Sequence, residues 1–444
     1  MTVIPALRLA IASMAAVLLS FGVTYALCLG LEVNASPAIL AAALSMGLMR
    51  RTERFEPRAL LTKFLALPLI ALAAGLVGFA FLKLPILGAV LFTGGIGLSI
   101  LLRQYGERGS AVGRVIALPL ITILVVPPAH IEGAHSRLML PLLVIAAGVI
   151  ASLSTLVVSR LAARFGIVAE QETPRAARPQ ATRSGTPHIA VRMALQMLAA
   201  LTLAFIIGMT LFPEHWFWIV LTAFIVCSGT VDRGDAVYKG LLRLGGAIGG
   251  AVVAALAAYV SFPNPPVYAA AVFFILFLGI WLRQINYAYW AGCATLIFAL
   301  LQDSHGVAMV PLLEVRVLCI VIGALCGVAA TWFVYPVRTD QLVKKRVAEA
   351  LGALREALPH GPGNPQHRAA LKHHAAELKR IAPPVHLHRR VFGAKHPDRH
   401  PSTWIKLMGE LLAKAQQADP DRTHIGAEMK RLGAMLKGQT KDSE

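Results

Sequence analysis

Apolar runs of 16 to 24 residues recur along the first 335 positions of the chain. At about 1.5 Å of rise per residue, such a run folded as a helix crosses the hydrocarbon core of a bilayer. Few soluble proteins tolerate 57% hydrophobic residues together with a mean hydropathy of +0.65. The pattern predicts an all-α, polytopic membrane protein.

Twelve spans are expected. In the first half they cover 8–31, 36–49, 60–82, 85–102, 111–127 and 137–160. In the second they cover 190–212, 216–230, 241–261, 266–282, 286–302 and 312–335. The first run follows Arg8, but it is too long for a signal peptide and lacks a small-residue cleavage site, so it reads as an anchor. The domains expected are a six-helix membrane repeat (1–161), a linker rich in Pro, Arg, Thr and Gln (162–188), a second six-helix repeat (189–336) and a basic helical domain (337–444).

Charge fixes the expected topology. With the N-terminus in the cytoplasm, all of the 42 Lys and Arg residues except Lys83, Arg137 and Arg316 fall on the cytoplasmic side. That is the positive-inside rule, and it accounts for the net charge of +19 without nucleic acid as a partner. Both termini are then cytoplasmic. The five cysteines lie singly within apolar segments, as small buried residues do rather than a disulfide framework.

The two halves echo each other in letters. Leu101–Gln104 (LLRQ) answers Trp281–Gln284 (WLRQ), and Lys63 answers Arg243, both at an offset of 180. Arg137 answers Arg316 at 179, and Arg8 answers Arg192 at 184. Six spans per half is an even number, so both halves insert the same way up. They are expected to be parallel repeats about an axis along the membrane normal.

After Val337 the hydropathy collapses. Gln341–Leu358 has apolar residues at helical spacing, and further helices are expected near 367–381, 402–417 and 422–437, with Pro383 and Pro384 breaking the middle. The tail is expected to lie against the inner leaflet or a partner. Its histidines (His373, His374, His386, His388, His396, His400) lack Cys or acidic companions at ligand spacing, which suits a basic surface better than a metal site.

No nucleotide-binding G-x-x-x-x-G-K-[ST], no G-x-S-x-G and no HExxH occurs, so neither an enzyme nor an ATP-driven pump is expected, and no cofactor or metal. The chemistry lies in the arginines. Arg103 and Arg283 end spans 4 and 10, while Lys63 and Arg243 sit inside spans 3 and 9. Around a pseudo-twofold they would form a cationic ring, and the planar guanidinium fork suits a carboxylate. The alternative is that they snorkel to the interface. Arg137 and Arg316 break the positive-inside pattern at the same place in each half; with Glu314 beside Arg316, they suggest either an outer gate or a structural ion pair. Trp216, Phe217, Trp218 and the Asn286–Trp290 run (NYAYW), with Trp218 and Tyr289 foremost, could stack on an aromatic substrate, or form aromatic belts at the two faces of the membrane. Gly245, Gly246, Gly249 and Gly250 form two overlapping G-x-x-x-G patterns for close helix packing.

Four stretches carry a family resemblance: Trp216–Ala223 (WFWIVLTA), Arg233–Asp235 (RGD), Arg243–Gly246 (RLGG) and Tyr335–Arg338 (YPVR). Through them the chain resembles the fusaric-acid-resistance family of bacterial inner-membrane proteins, which includes aromatic carboxylic acid exporters. The resemblance is clearest over 189–340 and weaker over 7–160. It implies two six-span halves with cytoplasmic helices, and work alongside a periplasmic adaptor protein. The plant aluminium-activated malate channels are similar at a greater distance and imply a homodimer. Charge and resemblance together point to an inner-membrane efflux transporter of organic, aromatic carboxylates, driven by membrane potential or proton gradient. Arg243, Arg283, Arg103, Lys63, Trp218 and Tyr289 would hold the substrate, and Arg316, Arg137 and Glu314 would gate it. A passive anion channel, or a scaffold whose basic tail docks partners or lipid, are the alternatives.

Overall fold

The computed structural model describes residues 3–33, 35–49, 76–125, 134–166, 187–257, 265–303, 309–360, 365–393, 400–415 and 422–438. Among them every regular element is helical and there is no strand. The helices are α1 (Val3–Gly30), α2 (Ser36–Met49), α3 (described over 76–83), α4 (Pro85–Leu101), α5 (Gly106–Val125) and α6 (Ala134–Arg164). A short 3-10 turn, Leu102–Tyr105, joins α4 to α5. Then come α7 (Pro187–Leu211), α8 (Trp216–Cys227), α9 (Arg233–Ala257), α10 (Pro265–Leu282), α11 (Tyr287–Asp303) and α12 (Met309–Phe333). The tail holds α13 (Thr339–His360), α14 (Pro365–Phe392), α15 (Pro401–Lys414) and α16 (Arg422–Gly438).

A helix overlaps each expected span, although of span 3 only its end lies within the described residues. Proline opens α4, α7, α10, α14 and α15, where its fixed φ suits the first turn and its missing N–H costs nothing. Six helices of the described residues are long and apolar enough to cross a membrane: Ala6–Gly30, Pro85–Tyr105, Ile145–Arg164, Ile189–Leu211, Arg233–Ala257 and Leu313–Phe333. Shorter apolar helices, Pro37–Met49, Trp216–Cys227, Pro266–Leu282 and Tyr287–Leu300, stand beside them. This is a multi-pass membrane protein.

The chain divides into two units. The first gathers most of α1 to α12. In it α1, α2 and α6 pack together through small residues: Ala41, Ala147 and Ala151 are fully buried, and Ser20 donates to the Ser45 hydroxyl at 2.9 Å. Helix α4 packs on α5 and α7, α7 on α8, α10 on α11, and α1 on α10. The aromatic head of α8 turns inward. Trp216 stacks on Phe81 with centroids 4.9 Å apart and meets Phe205 at 5.4 Å, while Phe92 completes the cluster edge-on to Phe205.

Glycines bring four helices of this unit close. A Cβ on Gly246 would lie 2.2 Å from the Ala288 carbonyl oxygen, and one on Gly250 2.3 Å from that of Gly292, so α9 touches α11 backbone to backbone. In the same way Gly323 of α12 admits the Ile219 carbonyl of α8 (2.4 Å to a notional Cβ), and Gly327 admits Val226. Gly240 of α9 faces Ala324 of α12. The neighbouring register, Gly245 and Gly249, meets nothing within 4 Å. Of the two overlapping glycine patterns, Gly246/Gly250 makes the contact.

The second unit combines Gly229–Lys239 with Thr331–Glu444. Helices α13 to α16 close around fully buried Trp404 and Met408, with Val343, Val347, Ala350 and Leu354 forming one apolar stripe of α13. The R-G-D turn is fastened to the start of α13. Buried Asp232 accepts from the Thr339 hydroxyl and, at 3.1 Å, from the Gly234 amide, while Arg233 donates to the Trp332 carbonyl at 2.9 Å. Helix α14 runs through Pro383 and Pro384, where the sequence suggested a break. The rings remove two N–H donors, yet the last turns stay helical because Val385 is buried in the Trp404 cluster.

Candidate functional site

Within the first unit, α8, α9, α11 and α12 meet around two buried arginines. Arg243 belongs to the stripe Gly240, Arg243, Gly246, Gly250, whose three- and four-residue spacing forms one face of α9. The glycines of that stripe pack tightly, so the arginine is drawn into the interior and is 6% exposed. Its Nε donates to Thr222 Oγ1 of α8 at 3.3 Å, and its Nη1 donates to the Tyr287 hydroxyl of α11 at 3.1 Å.

Arg316 shares a face of α12 with Gly323 and Gly327, the residues that seat α12 on α8, and is 4% exposed. Its guanidinium carbon lies 4.9 Å from the Trp218 ring centroid and 4.5 Å from that of Phe298 on α11, both within cation–π range. Its Nε and Nη1 are buried without a hydrogen-bond partner among the described residues, and so is the indole Nε1 of Trp218. Trp218 and Thr222 stand one turn apart on α8, about 6 Å. The two guanidiniums therefore face successive turns of one helix, and they lie within electrostatic range of each other.

Two like charges in an apolar interior are costly unless something negative joins them. Among the described residues neither arginine pairs with a carboxylate. Glu314 is exposed; two residues from Arg316, it projects from another side of α12.

The other sequence candidates are placed as follows. Arg283 is half-buried in the turn between α10 and α11, 5.5 Å over the Trp290 ring and within electrostatic range of Tyr287. Tyr287 thus stands between Arg243 and Arg283. Tyr289 is 52% exposed, because two residues on a helix turn it to the opposite side from Tyr287. Arg103 is half-buried on the turn after α4, and its charged neighbour is Arg114. Lys63 and the side chain of Arg137 lie outside the described residues.

Thr222, Tyr287 and Phe298 were not singled out from the sequence. Helical spacing holds a signal for each. Thr222 follows Trp218 by four residues, and Phe298 follows Tyr287 by eleven, about three turns, which puts each pair on one face. His215 stands at the mouth of the cluster, its ring 4.9 Å from that of Trp218. Burial holds the imidazole below its ordinary value, opposed by nearby Glu214.

No curated protein and no solved structure matches the chain. The model of the family described as fusaric acid resistance protein-like matches residues 198–330. That segment contains α8 to α11 and most of α12, hence both buried arginines together with Trp218, Thr222, Tyr287 and Phe298. Over this stretch the chain is similar to the fusaric acid resistance protein-like family, the family its sequence led us to expect.

Proposed function

We propose that the protein is an inner-membrane efflux transporter of organic anions, with aromatic carboxylates as the substrate class. The single observation that carries this reading is the pair of buried arginines, Arg243 and Arg316, with no carboxylate beside either among the described residues. A substrate carboxylate supplies the missing charge, and the aromatic rings of Trp218, Phe298 and Tyr287 suit an aryl body. Arg243 holds the carboxylate, Arg283 receives it from the α10–α11 turn, and Arg316 meets it farther along α8. Arg103, Lys63 and Arg137 are the corresponding cations of the first half.

The halves act as parallel repeats in this reading. In its support, a twofold that exchanges α1 with α7 and α4 with α10 turns the α4–α7 contact into the α10–α1 contact, and both contacts exist. The positive-inside bias favours cytoplasmic termini. With the cell interior negative, the membrane potential favours expulsion of an anion by about 2.3 kcal/mol per charge per 100 mV, so no nucleotide is required. A periplasmic adaptor and a homodimer are the partners this reading includes.

The test is uptake of labelled 4-hydroxybenzoate into inverted membrane vesicles. Saturable, potential-dependent uptake that falls at least tenfold in Arg243→Gln, with the variant inserted at wild-type level, supports the transporter. Uptake equal in wild type and variant removes Arg243 from the site. Linear, non-saturating flux that shows no trans-stimulation makes the protein a channel instead.

A further inference from the structure

Resting on the transport reading above, we infer that Arg316 and the indole N–H of Trp218 form a second, dehydrated anion subsite that accepts singly charged, weakly hydrated anions and rejects doubly charged ones.

Three donors carry the argument: Arg316 Nε, Arg316 Nη1 and Trp218 Nε1 are all buried, and none has a hydrogen-bond partner among the described residues. Native interiors pair such groups, because a buried donor left open has given up its water and received nothing in return. Three such donors on two side chains in contact, two of them on one cation, call for an acceptor that is negative. Arg243 differs, because Thr222 and Tyr287 already occupy its Nε and Nη1. At Arg316, unlike Arg243, the Nε and Nη1 donors are themselves open, which makes it a second level for an anion beyond the one Arg243 holds.

The walls determine which anion fits. Trp218 and Phe298 lie over the guanidinium, and buried Cys319 sits one turn along α12. An anion entering this space sheds its water and finds few dipoles in exchange. The desolvation cost rises with the square of the charge, whereas attraction to the fixed cations rises only linearly. A carboxylate monoanion has a single charge to desolvate and an aryl body that suits these apolar walls, so it clears that barrier. Sulfate and hydrogen phosphate do not.

The experiment is equilibrium binding to the full chain in neutral-lipid nanodiscs at constant ionic strength, with benzoate, thiocyanate and sulfate as probes. Benzoate and thiocyanate should bind wild type and compete with each other, and sulfate at equal concentration should displace neither. Trp218→Phe keeps an aromatic ring beside Arg316 while removing the N–H along with part of the indole; it should weaken benzoate about tenfold. Arg316→Gln should weaken it further. Unchanged benzoate affinity in well-folded Trp218→Phe overturns the subsite, as does displacement by sulfate or a wild type that binds neither monoanion. Flux in the same preparations separates the two readings. Trp218-dependent binding without any carboxylate transport overturns the transporter and leaves the subsite standing. Wild-type flux that neither variant alters, with binding unaltered too, overturns the subsite alone.

Discussion

Arg243 Nη1 donates to the Tyr287 hydroxyl at 3.1 Å, which ties the middle of α9 to the first residue of α11. Tyr287 also lies within electrostatic range of Arg283, so one phenol orients the neighbourhood of two cations. Tyr287→Phe keeps the ring and removes the acceptor. The protein should stay folded, losing about 1 kcal/mol of stability, and KM for a carboxylate should rise severalfold as the guanidinium loses its hold. Transport kinetics beside a thermal melt check this; an unchanged KM would remove Tyr287 from the site.

The glycines of α9 give a contrast within one helix. Gly246→Ala and Gly250→Ala push a methyl group onto the α11 backbone, which overpacks the contact by about 1–3 kcal/mol and displaces Arg243. Gly245→Ala and Gly249→Ala enter open space, and by helix propensity should stabilise by up to about 1 kcal/mol. Yield of folded protein and its melting temperature should separate the pairs. Equal behaviour of all four variants would contradict the packing described.

Outside the membrane helices, His400 caps α15 by accepting from the Ser402 amide on Nδ1 at 3.2 Å. Burial, then neighbouring His388, Arg389 and His386, hold this imidazole below its ordinary value of 6.5. The unfolded chain therefore takes up the proton more readily than the folded one. The cap's contribution, about 0.5–2 kcal/mol, is present above pH ~6.5 and is lost as pH falls below it. Protection of the amides at the start of α15, taken relative to their intrinsic exchange rates at each pH, should fall between pH 7 and pH 5. His400→Asn caps without titrating and should flatten that response; an equal loss of protection in this variant would rule out the cap as its source.

Much of the helical framework was legible in the chain because lipid allows so few answers. Long apolar runs become helices, and prolines mark where several begin. Arg316 stood out for a related reason: it breaks the expected positive-inside pattern, which suggested either a gate or a structural ion pair. What it contacts was not legible. Trp218 was read as a residue that contacts the substrate ring or, with Trp216 and Phe217, as part of an interfacial belt; Trp216 stacks inward on Phe81 and Trp218 lies against Arg316. Glu314 looked like a partner by nearness in sequence, and helical geometry turns it outward. Tyr287 and Tyr289 share one aromatic run, and only the rotation per residue distinguishes the one that meets Arg243. The continuation of α14 through Pro383 and Pro384 is set by burial of Val385, a tertiary effect that local letters do not express.

The most direct test of the central claim is charge movement in proteoliposomes containing only this protein. On a jump in 4-hydroxybenzoate concentration, wild type should carry net negative charge inward. The current should be saturable and should disappear in the Arg243→Gln, Arg316→Gln double variant reconstituted at equal density. A wild type that carries no more current or label than empty liposomes, for 4-hydroxybenzoate and for benzoate alike, would contradict a transporter of aromatic carboxylates.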